Sequence, residues 1–580
     1  MCITGILPQT KFIEYIICEK CVYFFFRILQ SKDESGILTK NSLRYFMKKR
    51  IVSVLMSVIL GLVLGGCRNI TEPGNNAKTE ENVTSQEENE KISLAKKYNA
   101  TDILLSDEQI LVNGKAISNE SDSEVYQAND IIFYLEGQDF TYGEGKEKDG
   151  HSQEEADSHT VVHITKPGNY VLRGKMSAGQ IAVDLGEGAK KDSEAVVTLI
   201  LNDVNITCSV APGVIFYNVY ECGDNDADNA TKEVDTSAAG ANIVIADDSI
   251  NYVNGSYVAK IYESVELNEA GTEIIDSKKL HKYDAAFYSR RTMNITGEDK
   301  GNGILNIQAE NEGLDSELHL TINGGIININ SGNDGINTNE DGVSVTTVND
   351  GILNITVNGS TGEGDGIDSN GWLIINGGIV TASACGFSSD AGIDSDMGIH
   401  INGGTVIATG NMLDEIADSE QAYVVFTAMD AIKAGTEITL KNETGDIITG
   451  TTIANACTCI VLSTPDLLSG TYTFWENDEQ LKVSEMGGGM FGKSGGGKFK
   501  PEDGNANPPQ LPEGKISEFP EGDMQPPKRP EGEASMRPEG EHPIRPEGEV
   551  PRFPGDSLGE TEAKKEFVIK EGANKFLVMK

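Results

Sequence analysis

Asn323-Gly-Gly-Ile-Ile-Asn-Ile-Asn-Ser-Gly-Asn-Asp-Gly-Ile-Asn-Thr338 decides how this chain is read, because both halves of it recur. The first half is a glycine that opens a short strand. Gly303-Ile-Leu-Asn-Ile307, Gly325-Ile-Ile-Asn-Ile329, Gly351-Ile-Leu-Asn-Ile355, Gly378-Ile-Val-Thr-Ala382 and Gly404-Thr-Val-Ile-Ala408 follow one another at gaps of 22, 26, 27 and 26 residues. The third and fifth positions of each copy are apolar while their neighbours vary, which is the period-two signature of a strand with one face turned inward. The second half is Gly-Ile-Asp-Ser: Gly313-Leu-Asp-Ser316, Gly335-Ile-Asn-Thr338, Gly366-Ile-Asp-Ser369 and Gly392-Ile-Asp-Ser395, with Ala286-Phe-Tyr-Ser289 as a degenerate first copy. The two series keep step.

A repeat of this length signals stacked coils. No single coil can bury its own apolar residues, so each must pair with neighbours above and below. The intervals are too short for propeller blades and lack leucine-rich spacing, which leaves a β-helix. Asn323-Gly-Gly325, Asn376-Gly-Gly378 and Asn402-Gly-Gly404 read as turns, since Asn and Gly tolerate left-handed backbone, and stacking would set their asparagines in a ladder. Val161-Val-His-Ile-Thr-Lys-Pro-Gly-Asn-Tyr-Val-Leu-Arg-Gly174 and Val196-Val-Thr-Leu-Ile-Leu-Asn-Asp-Val-Asn-Ile206 read as earlier coils of the same body.

Ninety acidic residues against 47 Lys and Arg give a formal charge of -43. Such a surface repels nucleic acid, so no nucleic-acid partner is expected, and it repels acidic polymers unless a divalent cation intervenes. The nine cysteines, at 2, 18, 21, 67, 208, 222, 385, 457 and 459, are odd in number and widely scattered, so no disulfide framework is inferred. Cys18-Glu-Lys-Cys21 has zinc-like spacing but no second pair follows.

Met47-Lys-Lys-Arg50, the apolar run Ile51 to Val63 and Leu64-Gly65-Gly66-Cys67 read as a signal peptide. The run is short of the roughly 20 residues that a spanning helix needs. Leu-Gly-Gly-Cys resembles the bacterial lipobox, which makes Cys67 the expected lipid anchor and places the body at the extracellular face of the membrane. Residues 1–46 read as an upstream extension of the true frame, 47–67 as the signal and 68–97 as a polar tether. The β-helix is assigned to 98–484, and a low-complexity Pro/Gly/Glu-rich insertion to 485–562, with Pro-Glu-Gly at 512, 520, 530, 538 and 546. This insertion is expected to be disordered, because proline breaks ladder pairing and little in it can be buried. Residues 563–580 regain strand character and are expected to return to the body.

Pro-Gly-Asn-Tyr-Val-Leu-Arg-Gly, Leu-Asn-Asp-Val-Asn-Ile, Asp284-Ala-Ala-Phe-Tyr-Ser289 and the Gly-Ile-Asp-Ser series together resemble the bacterial carbohydrate-binding, pectate-lyase-like family. The resemblance runs over about residues 98–480 and implies an all-β fold, a right-handed single-stranded parallel β-helix solenoid. It further implies a surface lipoprotein that binds cellulose or acidic pectic polysaccharide, with calcium; a monomer is expected.

Calcium takes six to eight oxygen ligands, and turns that repeat a carboxylate on every coil can bring several together. Asp334, Asp365, Asp368, Asp390 and Asp394 are the expected calcium ligands; the competing reading is that they only cap turns by accepting backbone hydrogen bonds. Bound calcium would bridge protein carboxylates to sugar carboxylates. For a neutral glucan the platform would be an exposed aromatic, with Trp372 ahead of Tyr423 and Phe387, unless Trp372 packs between coils. A lyase would need a basic residue beside the calcium, for which Arg290 and Arg291 are the weak candidates. The leading expectation is a non-catalytic carbohydrate-binding protein, followed by a calcium-dependent lyase and by an adhesive surface protein without a sugar ligand.

Overall fold

A computed structural model describes residues 94–486 and 563–579. The signal-like segment with Cys67, the Cys18/Cys21 pair and residues 487–562 of the insertion lie outside the described residues.

The inward positions of the repeat form the core. Leu305, Ile327, Leu353, Val380 and Val406 stand in one register across five parallel strands, and Ile307, Ile329, Ile355, Ala382 and Ala408 in the next. All ten are buried in one continuous apolar cluster. Full burial of an aliphatic side chain of this size contributes about 1.5–3 kcal/mol, so the repeat is itself a principal source of stability.

The expectation of a right-handed single-stranded β-helix is nevertheless corrected. Val197–Cys208 pairs in parallel with Ala241–Ile245 along its first half and with Ile250–Gly255 along its second. His319–Ser331 does the same with Met293–Gly297 and Ile304–Ala309. Those four short strands join crosswise, Ala241–Ile245 to Met293–Gly297 and Ile250–Gly255 to Ile304–Ala309. The six close into a parallel barrel, to which further sheets are joined.

Two long strands cause the closure. Val197–Cys208 has 12 residues and His319–Ser331 has 13, and the second passes through the Asn323-Gly-Gly325 segment that reads as a turn. Asp203 has φ 58°, and Gly324 and Gly325 have φ 152° and 89°. These residues bend the strand and shift its register between Ile322 and Ile326 without ending it. An Asn-Gly-Gly segment read as a turn therefore lies inside a strand, and one strand can hold partners on both sides of the bend.

An eight-stranded sheet carries the second half of the repeat. It runs in space from Val125–Ala128 through Thr160–Ile164, Gly179–Asp184, Val214–Asn218, Ala285–Ser289, Glu312–Ser316 and Ile336–Thr338 to Ile367–Ser369. Its pairings are parallel apart from the first. A hairpin of Val258–Leu267 and Ile274–Tyr283 stands immediately before Ala285–Ser289.

Beyond residue 420 the pairing is mostly antiparallel. Tyr423–Ile432 pairs with Cys457–Ser463 and, in parallel, with Ala573–Met579, while Phe567–Ile569 pairs with Gly470–Glu476. A second core gathers there around Phe426, Phe474, Phe567 and Phe576, with the Phe426 and Phe474 rings stacked at 4.0 Å.

Candidate functional site

The last four strands of the eight-stranded sheet place carboxylates in columns. Leu314, Ile336 and Ile367 share a register and fill the interior, which turns their neighbours Asp315, Asn337 and Asp368 to the opposite face. The residues before the glycines form a second column. The Gly313 amide donates to the Asp334 carbonyl and the Gly335 amide to the Asp365 carbonyl, which sets Glu312, Asp334 and Asp365 on successive rungs. Rungs are about 4.8 Å apart, so the carboxylates within a column face like charge.

At one end Asp284, Glu312 and Asp315 come together, each offering an oxygen within 4.8 Å of the others, and all three are buried. Ala285 pairs with Glu312 and Tyr288 with Asp315, so the register brings Asp284 to this point. Lys282, at the end of the preceding hairpin, makes an ion pair with Asp284 at 2.6 Å. Asn339 donates to both oxygens of Asp315 at 2.9 and 3.1 Å, and Asn337 to Glu312 Oε1 at 3.4 Å. Glu312 Oε2 and Asn337 Oδ1 remain buried without a hydrogen-bond partner.

Burial and mutual repulsion raise the proton affinity of the whole group. Burial pushes Glu312 well above the carboxylate range, helped by Asp315 and Asp284, and does the same to Asp315 with Glu317 and Asp284. Asp284 is raised by burial against the opposing pull of Lys282. Further along, burial lifts Asp334 to about 7, Asp368 to about 7 with Asp334 and Asp396 adding to it, and Asp394 to about 7 with Asp414. Asp365 rises to about 9 through burial, Asp394 and Asp334. A set of buried oxygens that resists ionising, with acceptors left over, has the chemistry of a hard-cation site.

The five sequence-derived ligands divide. Asp334 and Asp365 share one column, and Asp368 precedes Asp394 by one rung, since the Asp394 amide donates to the Ile367 carbonyl. Several also cap turns. Asp334 Oδ1 accepts from the Asp365 amide at 2.7 Å, and Asp365 Oδ1 accepts from the Ala391 amide. Asp390 stands one residue before the rung position that Ala391 holds, and its Oδ2 accepts from the Gly364 amide at 2.7 Å and from the Ser388 hydroxyl. Capping and cation binding are compatible, because a carboxylate has about four lone-pair sites.

The Asp284, Glu312 and Asp315 cluster was not among the expected ligands. Its sequence signal is present: Glu312 precedes Gly313 as Asp334 precedes Gly335, and Asp284 opens the degenerate first copy.

Trp372 opens the strand Trp372–Ile375 on the larger sheet, between Val345 and Gly398, and is half-buried. Tyr423 is buried and Phe387 is 70% exposed. Arg290 and Arg291 follow the Ala285–Ser289 strand. The Arg291 Nη1 donates to the Arg290 carbonyl at 3.1 Å while its Nε is buried without an acceptor. Burial and the neighbouring Arg290 charge lower the proton affinity of Arg291.

The sequence over residues 158–468 matches the family model described as carbohydrate-binding domain-containing protein. A carbohydrate-binding domain-containing protein of Acetivibrio thermocellus is 31% identical over 173 residues, 30% of this chain and 46% of that protein, so the chain spans about half the length of this curated relative. A solved structure described as the polysaccharide lyase-like protein from C. thermocellum, gadolinium derivative, aligns with a TM-score of 0.29 and 19% identity over 55% of this chain and 90% of that one. With more than half of its length inside the family model, the chain belongs to the family of carbohydrate-binding domain-containing proteins.

Proposed function

We propose that the protein holds acidic, pectin-type polysaccharide through calcium bound in the carboxylate columns, and that it does so at the cell surface, tethered by a lipidated Cys67. The buried cluster of Asp284, Glu312 and Asp315 carries this reading, because Glu312 Oε2 is left without a partner in a setting that disfavours its charge. An unpaired buried carboxylate oxygen costs a few kcal/mol, and a divalent cation removes that cost. The donors are all oxygen, which suits calcium over softer metals. Asp284, Glu312 and Asp315 would hold one ion, and Asp334, Asp365, Asp368 and Asp394 would supply ligands along the columns. Calcium contributes the positive charge that lets a chain of net charge -43 approach a uronate polymer.

The test is binding of the purified protein to polygalacturonate, with calcium and with a chelator, while the solution is followed for ultraviolet-absorbing unsaturated product. Retention only with calcium and without product supports the proposal. Retention indifferent to the chelator would sink calcium bridging, and steady release of product would replace binding by lyase action.

A further inference from the structure

A groove of about 700 Å³ contains none of these carboxylates. Its floor is the larger sheet. Asn323, Asn349, Asn376 and Asn402 line it on successive rungs, each side-chain amide donating to the one before at 2.8, 2.9 and 2.9 Å. Beside this ladder run Asn294, Thr321 and Thr347, which are also in register. A primary amide has two N–H donors and spends one in the ladder, so each rung keeps a donor and acceptor capacity for something else.

The segments over the two ends of the ladder are fastened to this floor. At its first rungs the Thr236 hydroxyl donates to the Thr321 hydroxyl at 2.8 Å, and Asn294 Nδ2 donates to the Thr236 carbonyl at 2.8 Å. At its last rung His400 Nδ1 donates to the Asp418 carbonyl at 2.8 Å, and the Ile401 amide donates to the Ser419 hydroxyl at 2.9 Å. A groove held in this way is formed before any ligand arrives, which reduces the entropy cost of binding. Asn294 Oδ1, buried in the lining, has no hydrogen-bond partner, which a polar ligand settling into the groove would relieve.

The rim selects against charge. Glu233, Asp235, Asp418 and Glu420 face the single Lys232, which repels polyanions. Among the described residues no aromatic side chain lines the groove, so recognition there rests on hydrogen bonds. The ladder runs along the stacking direction with a rung about every 4.8 Å, matching an extended ligand whose hydroxyls recur along its length.

We propose that this groove is a second carbohydrate site, one that takes a short stretch of uncharged polysaccharide over the asparagine ladder, between the segments that bound its ends, without calcium. It rests on the family's carbohydrate-binding role and is independent of the calcium reading. The probes are a soluble neutral β-glucan oligosaccharide and polygalacturonate, each measured by calorimetry with the full chain. The native protein binds the neutral oligosaccharide equally with calcium and with chelator. Asn376→Ala weakens that binding roughly three- to tenfold, the loss of about one hydrogen bond, and leaves calcium-dependent polygalacturonate binding in place.

Thr347→Trp fills the groove while leaving all four ladder asparagines in the sequence, and abolishes neutral binding, which decides the matter if the ladder variant fails to fold. Unchanged neutral binding in a folded Thr347→Trp protein would overturn the proposal, as would neutral binding that the chelator removes. A native protein that binds polygalacturonate but no neutral glycan would overturn the groove alone. One that binds neither would overturn the calcium reading as well.

Discussion

Replacing Asp368 by asparagine should stabilise the metal-free protein at neutral pH. Burial, Asp334 and Asp396 all push this carboxyl upward, from the ordinary 3.8 to about 7, and nothing pulls it down. Among the described residues no hydrogen bond reaches its oxygens, and its neighbour one rung away, Asn337, shows that an amide fits the register. The native state therefore keeps this proton to a higher pH than the unfolded chain does. The resulting contribution is fully present below about pH 4 and disappears as the pH climbs towards about 7.

The rise is roughly three pH units, and at 1.36 kcal/mol per unit the most that can be lost is about 4 kcal/mol. Other carboxyls nearby share the strain, so Asp368→Asn should recover about 1–3 kcal/mol. The assay is denaturant unfolding in chelator at pH 4 and at pH 8. The gain should be present at pH 8 and absent at pH 4. Equal stability of the two proteins at pH 8 would refute the idea that the columns store electrostatic strain.

Calcium should raise the melting temperature at pH 7.5 and progressively less below pH 6, because protons compete for the same oxygens; Glu312→Gln should reduce the increment seen by calorimetry at pH 7.5. In the core, Ile327→Ala should cost about 2–5 kcal/mol in a chemical denaturation series, whereas Ile379→Ala, one residue out of the inward register and 38% exposed, should cost under about 1 kcal/mol. Phe576→Ala should cost about 3–5 kcal/mol by the same measurement, because its ring packs against Phe426 and Phe567 in the second core.

The strands and their inward faces were legible because alternation is written locally, as Ile327 and Ile329 or Val380 and Ala382 show. The asparagine ladder was legible from the recurrence of Asn-Gly-Gly at Asn323, Asn376 and Asn402, and Asn349 joins it although an aspartate follows it where the other copies have glycine. Closure of the barrel was not legible. Whether Asn-Gly-Gly ends a strand or only bends it depends on the partners available on both sides, and at Asn323 the neighbours Met293–Gly297 and Ile304–Ala309 hold the chain in one continuous strand. The carboxylate columns could be counted from the spacing of the glycines. Their convergence with Asp284, at the head of the degenerate first copy, was legible only in part, because the hairpin of Val258–Leu267 and Ile274–Tyr283 that sets Lys282 against it interrupts the repeat.

Calorimetric titration of polygalacturonate into the full chain decides whether acidic polysaccharide is recognised through calcium. Saturable binding in calcium that vanishes in chelator, and that falls sharply in Glu312→Gln, is the predicted result. Binding of equal strength in calcium and in chelator would contradict it.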